Sequence, residues 1–157
     1  MRNQAEIDGT SGILFGLAPD WSQFYSFEIY PTYSAYGIYR HGENGWSIYA
    51  EGYSDNIRPY PASNNLKIER RGGQIWAYVN EQLMNVINET YYTSSGYLGL
   101  LASSIGEANY DARFDNFTVY PISCGTLGSH QSGYLDIQTY NNSQVDLSEH
   151  HEGIFER

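Results

Sequence analysis

The sequence predicts an all-β protein, an antiparallel β-sandwich, and three observations lead to this fold class. Tyrosine-rich segments alternate apolar and polar side chains with the two-residue period of a strand. Turn residues separate these segments at intervals of about 8–12 residues, as in sandwiches of antiparallel strands. No long window shows the 3.6-residue period of a helix. At 157 residues, the chain has the size of one domain with a buried core.

The first half of the chain contains four predicted strands, at residues 12–17, 24–30, 36–40 and 46–49. An Asn-Gly pair suits the positive φ of a tight turn and joins the third strand to the fourth as a hairpin. The second strand alternates, with Tyr25, Phe27 and Ile29 on one face and Phe24, Ser26, Glu28 and Tyr30 on the other. Residues 51–65 contain two prolines and are expected to form a looser, exposed segment.

The second half contributes five further predicted strands, at residues 66–70, 74–80, 83–87, 97–101 and 114–120. A Gly-Gly pair marks the turn between the first two of them. If the aliphatic residues of 74–80 face the core, the opposite face of that strand carries Trp76, Tyr78 and Asn80.

Residues 1–121 are therefore expected to form the sandwich, and residues 122–157 a C-terminal extension. The extension begins with a Gly/Ser-rich stretch, is expected to contain one extra strand at most, over residues 134–140, and ends in a charged tail. It either adds that strand to the sandwich or leads into a second region. The N-terminus lacks the apolar segment of a signal peptide, so we expect a cytosolic protein or an exported one without its leader.

The charge balance argues against several classes of partner. The chain has 18 acidic and 8 basic residues, a formal net charge of −10. Nucleic acids and anionic membranes need clustered basic residues, and Arg70-Arg71 is the only basic pair. No apolar run is long enough to insert into a bilayer. Cys124 is the only cysteine, which excludes an intrachain disulfide and a cysteine-based metal site.

Seven motifs occur in an order that resembles a known superfamily. They are GILFG at 12–16, FYSFEI at 24–29, YGIYR at 36–40, NLKI at 65–68, WAYVNEQL at 76–83, GYLGL at 96–100 and FDNF at 114–117. Together they resemble the concanavalin A-like lectin/glucanase superfamily, and within it the laminin-G-like and 3-keto-disaccharide-hydrolase-like domains. The resemblance covers residues 12–120. It implies a jelly roll, an extracellular or envelope location, and a place in a larger multidomain chain.

Two features depart from that superfamily. Its members have two or three strands before the one that starts here at Gly12, whereas only eleven residues precede Gly12 in this chain. From the resemblance we therefore expect either a fragment or a chain in which residues 134–140 fill the missing position. The usual Asn-Gly turn is replaced by Asn80-Glu81, which suits a two-residue turn less well.

The residues give little support to catalysis. The glucanase branch of the superfamily uses a Glu-x-Asp-x-x-Glu strand, and this pattern is absent. Retaining hydrolysis needs two carboxyl groups about 5 Å apart, and Glu28 has no second carboxylate two residues away. We therefore expect no enzyme. A glycoside hydrolase of the 3-keto-disaccharide-hydrolase or glucanase type is the alternative.

Carbohydrate binding fits the aromatic strands better. Sugar rings stack on aromatic planes while their hydroxyls bond to polar side chains. If the two alternating strands are neighbours, they form one aromatic platform, and the candidate binding residues are Phe24, Glu28, Tyr30, Trp76, Tyr78 and Asn80. The sequence thus predicts a non-catalytic glycan-binding or adhesion module.

Two alternatives stay open beside this prediction. Strands favour tyrosine and tryptophan without any ligand, so a purely structural or protein-interaction domain explains the same composition. The resemblance also allows a calcium site, for which Asp111, Asp115 and Asn116 offer oxygen ligands of the required kind.

Overall fold

The computed structural model of the chain contains two antiparallel sheets whose inner faces pack against each other. It describes residues 8–89, 96–105 and 110–120, and the backbone of residues 145–146. The predicted β-sandwich is therefore confirmed. The only helical segment in these ranges is a single 3-10 turn, Pro31–Tyr33. None of the described helical structure is long and apolar enough to span a membrane.

The strands, in chain order, are β1 Gly9–Leu17, β2 Phe24–Tyr30, β3 Ala35–Gly42, β4 Gly45–Tyr53, β5 Leu66–Arg71, β6 Gln74–Val79, β7 Gln82–Asn88, β8 Tyr97–Ser104, β9 Ala112–Arg113 and β10 Val145–Asp146. The larger sheet has the order β4-β3-β2-β1-β8, and the smaller sheet has the order β5-β6-β7. Two short strands, β9 and β10, pair in parallel. The larger sheet thus combines a four-strand meander with β8, which returns beside β1.

The core lies between the two sheets and follows from strand alternation. Phe27 and Ile38 of the larger sheet are fully buried, as are Ile75, Ala77 and Val79 of the smaller one. Burying each large apolar side chain contributes about 1.5–3 kcal/mol. The inner residues of β2 and β6 are therefore fixed by the core, and their alternate residues must face outward.

One irregularity in the larger sheet changes which residues of β4 face outward. Ile38 pairs with Ala50, but Tyr39 pairs with Ile48, so Tyr49 is an extra residue in β4. The side chain of Tyr49 packs inward against Tyr25. Such a bulge reverses the alternation of the strand that contains it. The exposed residues of β4 are accordingly Trp46 and Ile48 before the bulge and Glu51 and Tyr53 after it.

The C-terminal part of the fold differs from the sequence-based expectation. Residues 114–120 were expected to form a strand, but the structure has only the two-residue β9 before them. Asn116 has a φ of 52°, in the left-handed region, which interrupts an extended backbone. The predicted strand at residues 134–140 lies outside the described residues, and the boundary near residue 121 stays a prediction.

The β6–β7 turn holds the long loop that connects the two sheets. Asn80 and Glu81 have φ values of 49° and 70°, as a two-residue hairpin turn of the primed type requires. The Asn80 side-chain amide donates to the Asn56 carbonyl at 2.7 Å and to Asn64 Oδ1 at 2.9 Å. Its oxygen accepts from the Asn65 backbone N–H at 2.8 Å. Asn80 therefore ties the loop to the smaller sheet.

We expect Asn80→Gly to lower the free energy of unfolding by about 1–3 kcal/mol. The loop groups lose their hydrogen-bonding partner, whereas glycine still adopts the positive φ of the turn. Asn80→Ala should cost about 1–2 kcal/mol more, since alanine resists the left-handed conformation. Urea denaturation measures both values. Glu81→Gly, at the other positive-φ position of the turn, is the control and should not destabilise. An Asn80→Gly protein as stable as the wild type would contradict a role for the amide.

Candidate functional site

The structure confirms the predicted alternation of the two aromatic strands but separates them. Phe24, Glu28 and Tyr30 lie on the outer side of β2, in the larger sheet, whereas Trp76 and Tyr78 lie on the outer side of β6, in the smaller sheet. Because the sheets pack through their inner faces, these two groups are on opposite sides of the sandwich. The prediction of one shared platform is therefore wrong. Alternation within a strand identifies its faces, but it does not identify the neighbouring strands.

The outer face of the smaller sheet is already occupied by cations. Lys67 Nζ lies 4.1 Å from the centre of the Tyr78 ring, and the Arg71 guanidinium lies 5.8 Å from the centre of the Trp76 ring. Glu69 pairs with both cations, at 3.1 and 2.6 Å. The hydrogen bond from Lys67 contributes most to lowering the pKa of Glu69. Both rings thus have cation–π partners, and their role in sugar binding stays a prediction.

Asn80 belongs to neither group. Its amide is engaged by the loop residues described above. The structure thus gives this residue a structural role in the β6–β7 turn, and its contact with a ligand stays a prediction.

The outer face of the larger sheet combines aromatic rings and carboxylates from three adjacent strands. We call this surface the β2–β4 face, and its members are Phe24, Glu28, Tyr30, Tyr39, His41, Trp46 and Glu51. At one end, Phe24 pairs with His41, which pairs with Trp46. Further along the same strands, Gly37 stands between Glu28 and Glu51 in the same register. The aromatic and carboxylate parts of the surface are therefore neighbours on one sheet.

Trp46 is the most accessible ring of the β2–β4 face, with 57% of its surface exposed. Its ring centre lies 5.4 Å from Phe24, 5.0 Å from His41 and 6.3 Å from Tyr39, at steep interplanar angles of 80°, 66° and 86°. Phe24 and His41 stack on each other at 5.0 Å. Edge-on aromatic pairs of this kind contribute about 0.5–1.5 kcal/mol each. They hold the indole in one orientation while much of it stays open to solvent.

Glu28 is a buried carboxylate on the same face, with only 5% of its surface exposed. Ser26 Oγ donates to it at 2.6 Å and Thr10 Oγ1 at 3.1 Å, and the Tyr30 hydroxyl lies 3.3 Å away. Burial raises the pKa of Glu28, and these three hydroxyls partly oppose that rise. Glu28 is therefore a buried hydrogen-bond acceptor that orients the Tyr30 hydroxyl.

A series of hydroxyl contacts connects Glu28 to the exposed Glu51. The Tyr30 hydroxyl lies 3.2 Å from the Tyr39 hydroxyl, which donates to Glu51 Oε1 at 2.9 Å. Burial also raises the pKa of Tyr39, so its hydroxyl stays protonated. A Cβ at Gly37 would collide with the Tyr39 ring, so this glycine allows the ring to lie against the sheet.

Four residues of the β2–β4 face were missed from the sequence: Tyr39, His41, Trp46 and Glu51. Tyr39 and His41 alternate with buried Ile38, and that pattern was available in the sequence. Trp46 and Glu51 are five positions apart, so regular alternation places them on opposite faces. Only the bulge at Tyr49 places both residues on the same face, and no pattern in the sequence predicts this bulge.

All three residues that offered oxygen ligands for calcium are exposed. Asp111 pairs with Arg113 at 3.3 Å, and Asp115 and Asn116 are exposed. Within the described ranges, no three side chains of the His, Cys, Asp and Glu types form a group that could hold a metal ion.

The burial of Glu28 gives a testable pH dependence. Because folding raises its pKa, Glu28 contributes stability fully only below the pH where the unfolded side chain titrates, near its ordinary value of 4.5. This contribution is lost as the pH rises through the folded-state pKa. Relative to Glu28→Gln, the wild type should lose free energy of unfolding above about pH 4.5, by at most about 1.4 kcal/mol per pH unit.

Urea denaturation of both proteins between about pH 4 and 8 measures this difference. The two proteins share every other titratable group, so their difference isolates Glu28. A difference that stays constant with pH, or that favours the wild type more strongly as the pH rises, would contradict the burial argument.

Comparison with known proteins gives a similarity of structure. No protein-family model matches the chain, and a sequence comparison with curated proteins finds no match. Among solved structures, the chain is similar to the carbohydrate-binding module CBM66 from Bacillus subtilis, with a TM-score of 0.50 and 15% sequence identity. The similarity covers 67% of this chain and 62% of that one, less than two thirds of the module. It is a similarity of fold, and it agrees with the β-sandwich.

Proposed function

We propose that this chain is a non-catalytic carbohydrate-binding module that holds a glycan on the β2–β4 face. The observation that carries the proposal is Trp46, an exposed indole held in place by three other rings, one of which, Tyr39, donates to the exposed Glu51. Sugar C–H faces stack on such rings, and sugar hydroxyls donate to carboxylates. The similarity to a module named for carbohydrate binding supports the proposal.

Each part of the face has a distinct role in this proposal. Trp46 provides the stacking surface, and Phe24 and His41 fix its orientation. Glu51 and Tyr39 provide polar contacts beside the aromatic part of the face. The buried Glu28 positions the hydroxyl of Tyr30, which contacts that of Tyr39. Phe24, Glu28 and Tyr30 thus stay in the proposed site, chiefly as supporting residues. Trp76, Tyr78 and Asn80 are not part of it.

The proposal includes a biological setting that rests on the resemblance alone. The motif order resembles the concanavalin A-like superfamily, whose bacterial members are attached to secreted or membrane-anchored proteins. We accordingly propose an extracellular or envelope location and a place within a larger multidomain protein. The net charge of −10 is compatible with a soluble domain that avoids anionic membranes and nucleic acid.

The hydrolase alternative has one observation in its favour and one against it. Glu28 and Glu51 share a register two strands apart, and inverting hydrolysis uses carboxyl groups about 6.5–9.5 Å apart. That reaction also needs space between them for a sugar and a water. Here the hydroxyls of Tyr30 and Tyr39 lie between the two carboxylates. Binding is therefore the better supported function.

A protein partner is the second alternative, because two large side chains beside the proposed site are very exposed. Ile48 is 66% and Tyr53 83% exposed, on the same side of β4 as Trp46. An aromatic and aliphatic surface of this kind also suits a protein interface. Aromatic stacking alone does not separate the two partners, so the experiment must use glycans directly.

The test is a glycan-array measurement with the wild type, Trp46→Ala and Trp76→Ala. We expect Trp46→Ala to weaken binding at least about tenfold, because the central stacking ring is lost. Trp76→Ala should bind like the wild type, since that ring lies on the opposite side of the sandwich. Near-UV circular dichroism confirms that each variant is folded.

The matched tryptophans separate the outcomes. Loss of binding in Trp76→Ala with normal binding in Trp46→Ala would move the site to the smaller sheet. A folded wild type that binds no glycan on the array would refute the carbohydrate proposal and favour a protein partner.

A further inference from the structure

We propose that the β2–β4 face selects neutral glycans over acidic ones, and that Glu51 is the residue that determines this selectivity. This inference rests on the proposed function and specifies its class of ligand. The argument uses the charges of the face, the hydrogen-bonding state of Glu51 and the position of the basic residues.

Both carboxylates of the larger sheet's outer side lie on the β2–β4 face. Glu28 on β2 and Glu51 on β4 flank Gly37 of the central strand β3. Among the strand residues described on this side, none is lysine or arginine, and His41 is the only base. A ligand on this surface therefore meets negative charge without a compensating cation.

Arg40, Lys67 and Arg71 do not face this surface. Arg40 is on β3, next to the face, but it pairs with Tyr25 on the inner side and lies over the Tyr49 ring at 5.8 Å. Lys67 and Arg71 are on β5, in the other sheet, and pair with Glu69. A carboxylate or sulfate on the ligand would find none of these cations within the site.

Glu51 itself is available to accept hydrogen bonds from a ligand. The side chain is exposed, and Tyr39 donates to its Oε1 at 2.9 Å. That bond fixes the orientation of the carboxylate and leaves Oε2 available to accept hydrogen bonds from a ligand. Hydroxyl groups of a neutral sugar are such donors, and hydrogen bonds to a charged acceptor are the stronger kind. An ionised uronic acid or sulfate ester has only acceptors at that group and repels the carboxylate at short range.

The experiment compares one polysaccharide backbone in two charge states. A neutral polysaccharide bound by the wild type is carboxymethylated, and binding of both forms is measured by titration at about pH 7.5. We expect the carboxymethylated form to bind at least about tenfold more weakly, a difference of about 1.4 kcal/mol. The difference should shrink as salt is raised, since salt screens the repulsion.

Two variants assign the effect to Glu51. Glu51→Gln keeps the size of the side chain and removes its charge, so it should weaken binding of the neutral form and narrow the gap between the two forms to less than about threefold. Glu81→Gln makes the same change of net charge in the β6–β7 turn, and it should leave both affinities unchanged. Both positions are exposed, so each variant is expected to fold.

The outcomes separate this inference from the proposed function. Equal or tighter binding of the carboxymethylated form by the wild type would overturn the inference and leave carbohydrate binding intact. A gap that persists in Glu51→Gln would overturn the role of Glu51. A folded wild type that binds neither acidic nor neutral glycans on the array would overturn the proposed function and the inference together.

Discussion

The extra residue in β4 is the constraint on which the candidate site depends. By reversing the alternation at Tyr49, the bulge lets Tyr49 pack against Tyr25 in the core while Trp46 and Glu51 both face outward. A regular strand would send one of the two into the core, where an indole ring would need space and a carboxylate would need a partner. The stacking ring and the exposed acceptor therefore share a surface only because the pairing of β3 and β4 is irregular.

Core packing and the polar network on the outer face are coupled through β2. Phe27 and Ile29 are buried on the inner side of this strand. Because Glu28 lies between them in the sequence, its side chain faces outward. Three hydroxyls and close neighbours enclose it there, so the carboxylate is buried outside the hydrophobic core. Burying an ionisable group costs stability unless its hydrogen bonds are satisfied. The buried Glu28 carboxylate also contacts the Tyr30 hydroxyl, which in turn contacts Tyr39. The group that lowers stability therefore also helps to orient both tyrosines.

The sequence predicted the faces of strands well and the relations between strands poorly. The periodicity of residues 24–30 and 74–80 correctly separated the buried residues from the outward ones, because core burial follows the two-residue period. Placing Trp76 beside Phe24 was wrong, because the long loop after β4 carries the chain to the second sheet. The strand expected at residues 114–120 was also wrong, since Asn116 adopts a left-handed conformation. Trp46 and Glu51 escaped detection because a bulge depends on pairing across strands.

The cations over Trp76 and Tyr78 have a consequence for the molecule as a whole. The outer side of the smaller sheet carries Lys67 and Arg71 against the single carboxylate of Glu69, whereas the β2–β4 face carries two carboxylates. Although the chain is acidic overall, its described strands thus have an electric dipole directed across the sandwich. Near an anionic polymer, these outer charges favour orientations in which the smaller sheet faces the polymer. The opposite surface is then presented to the surrounding solution.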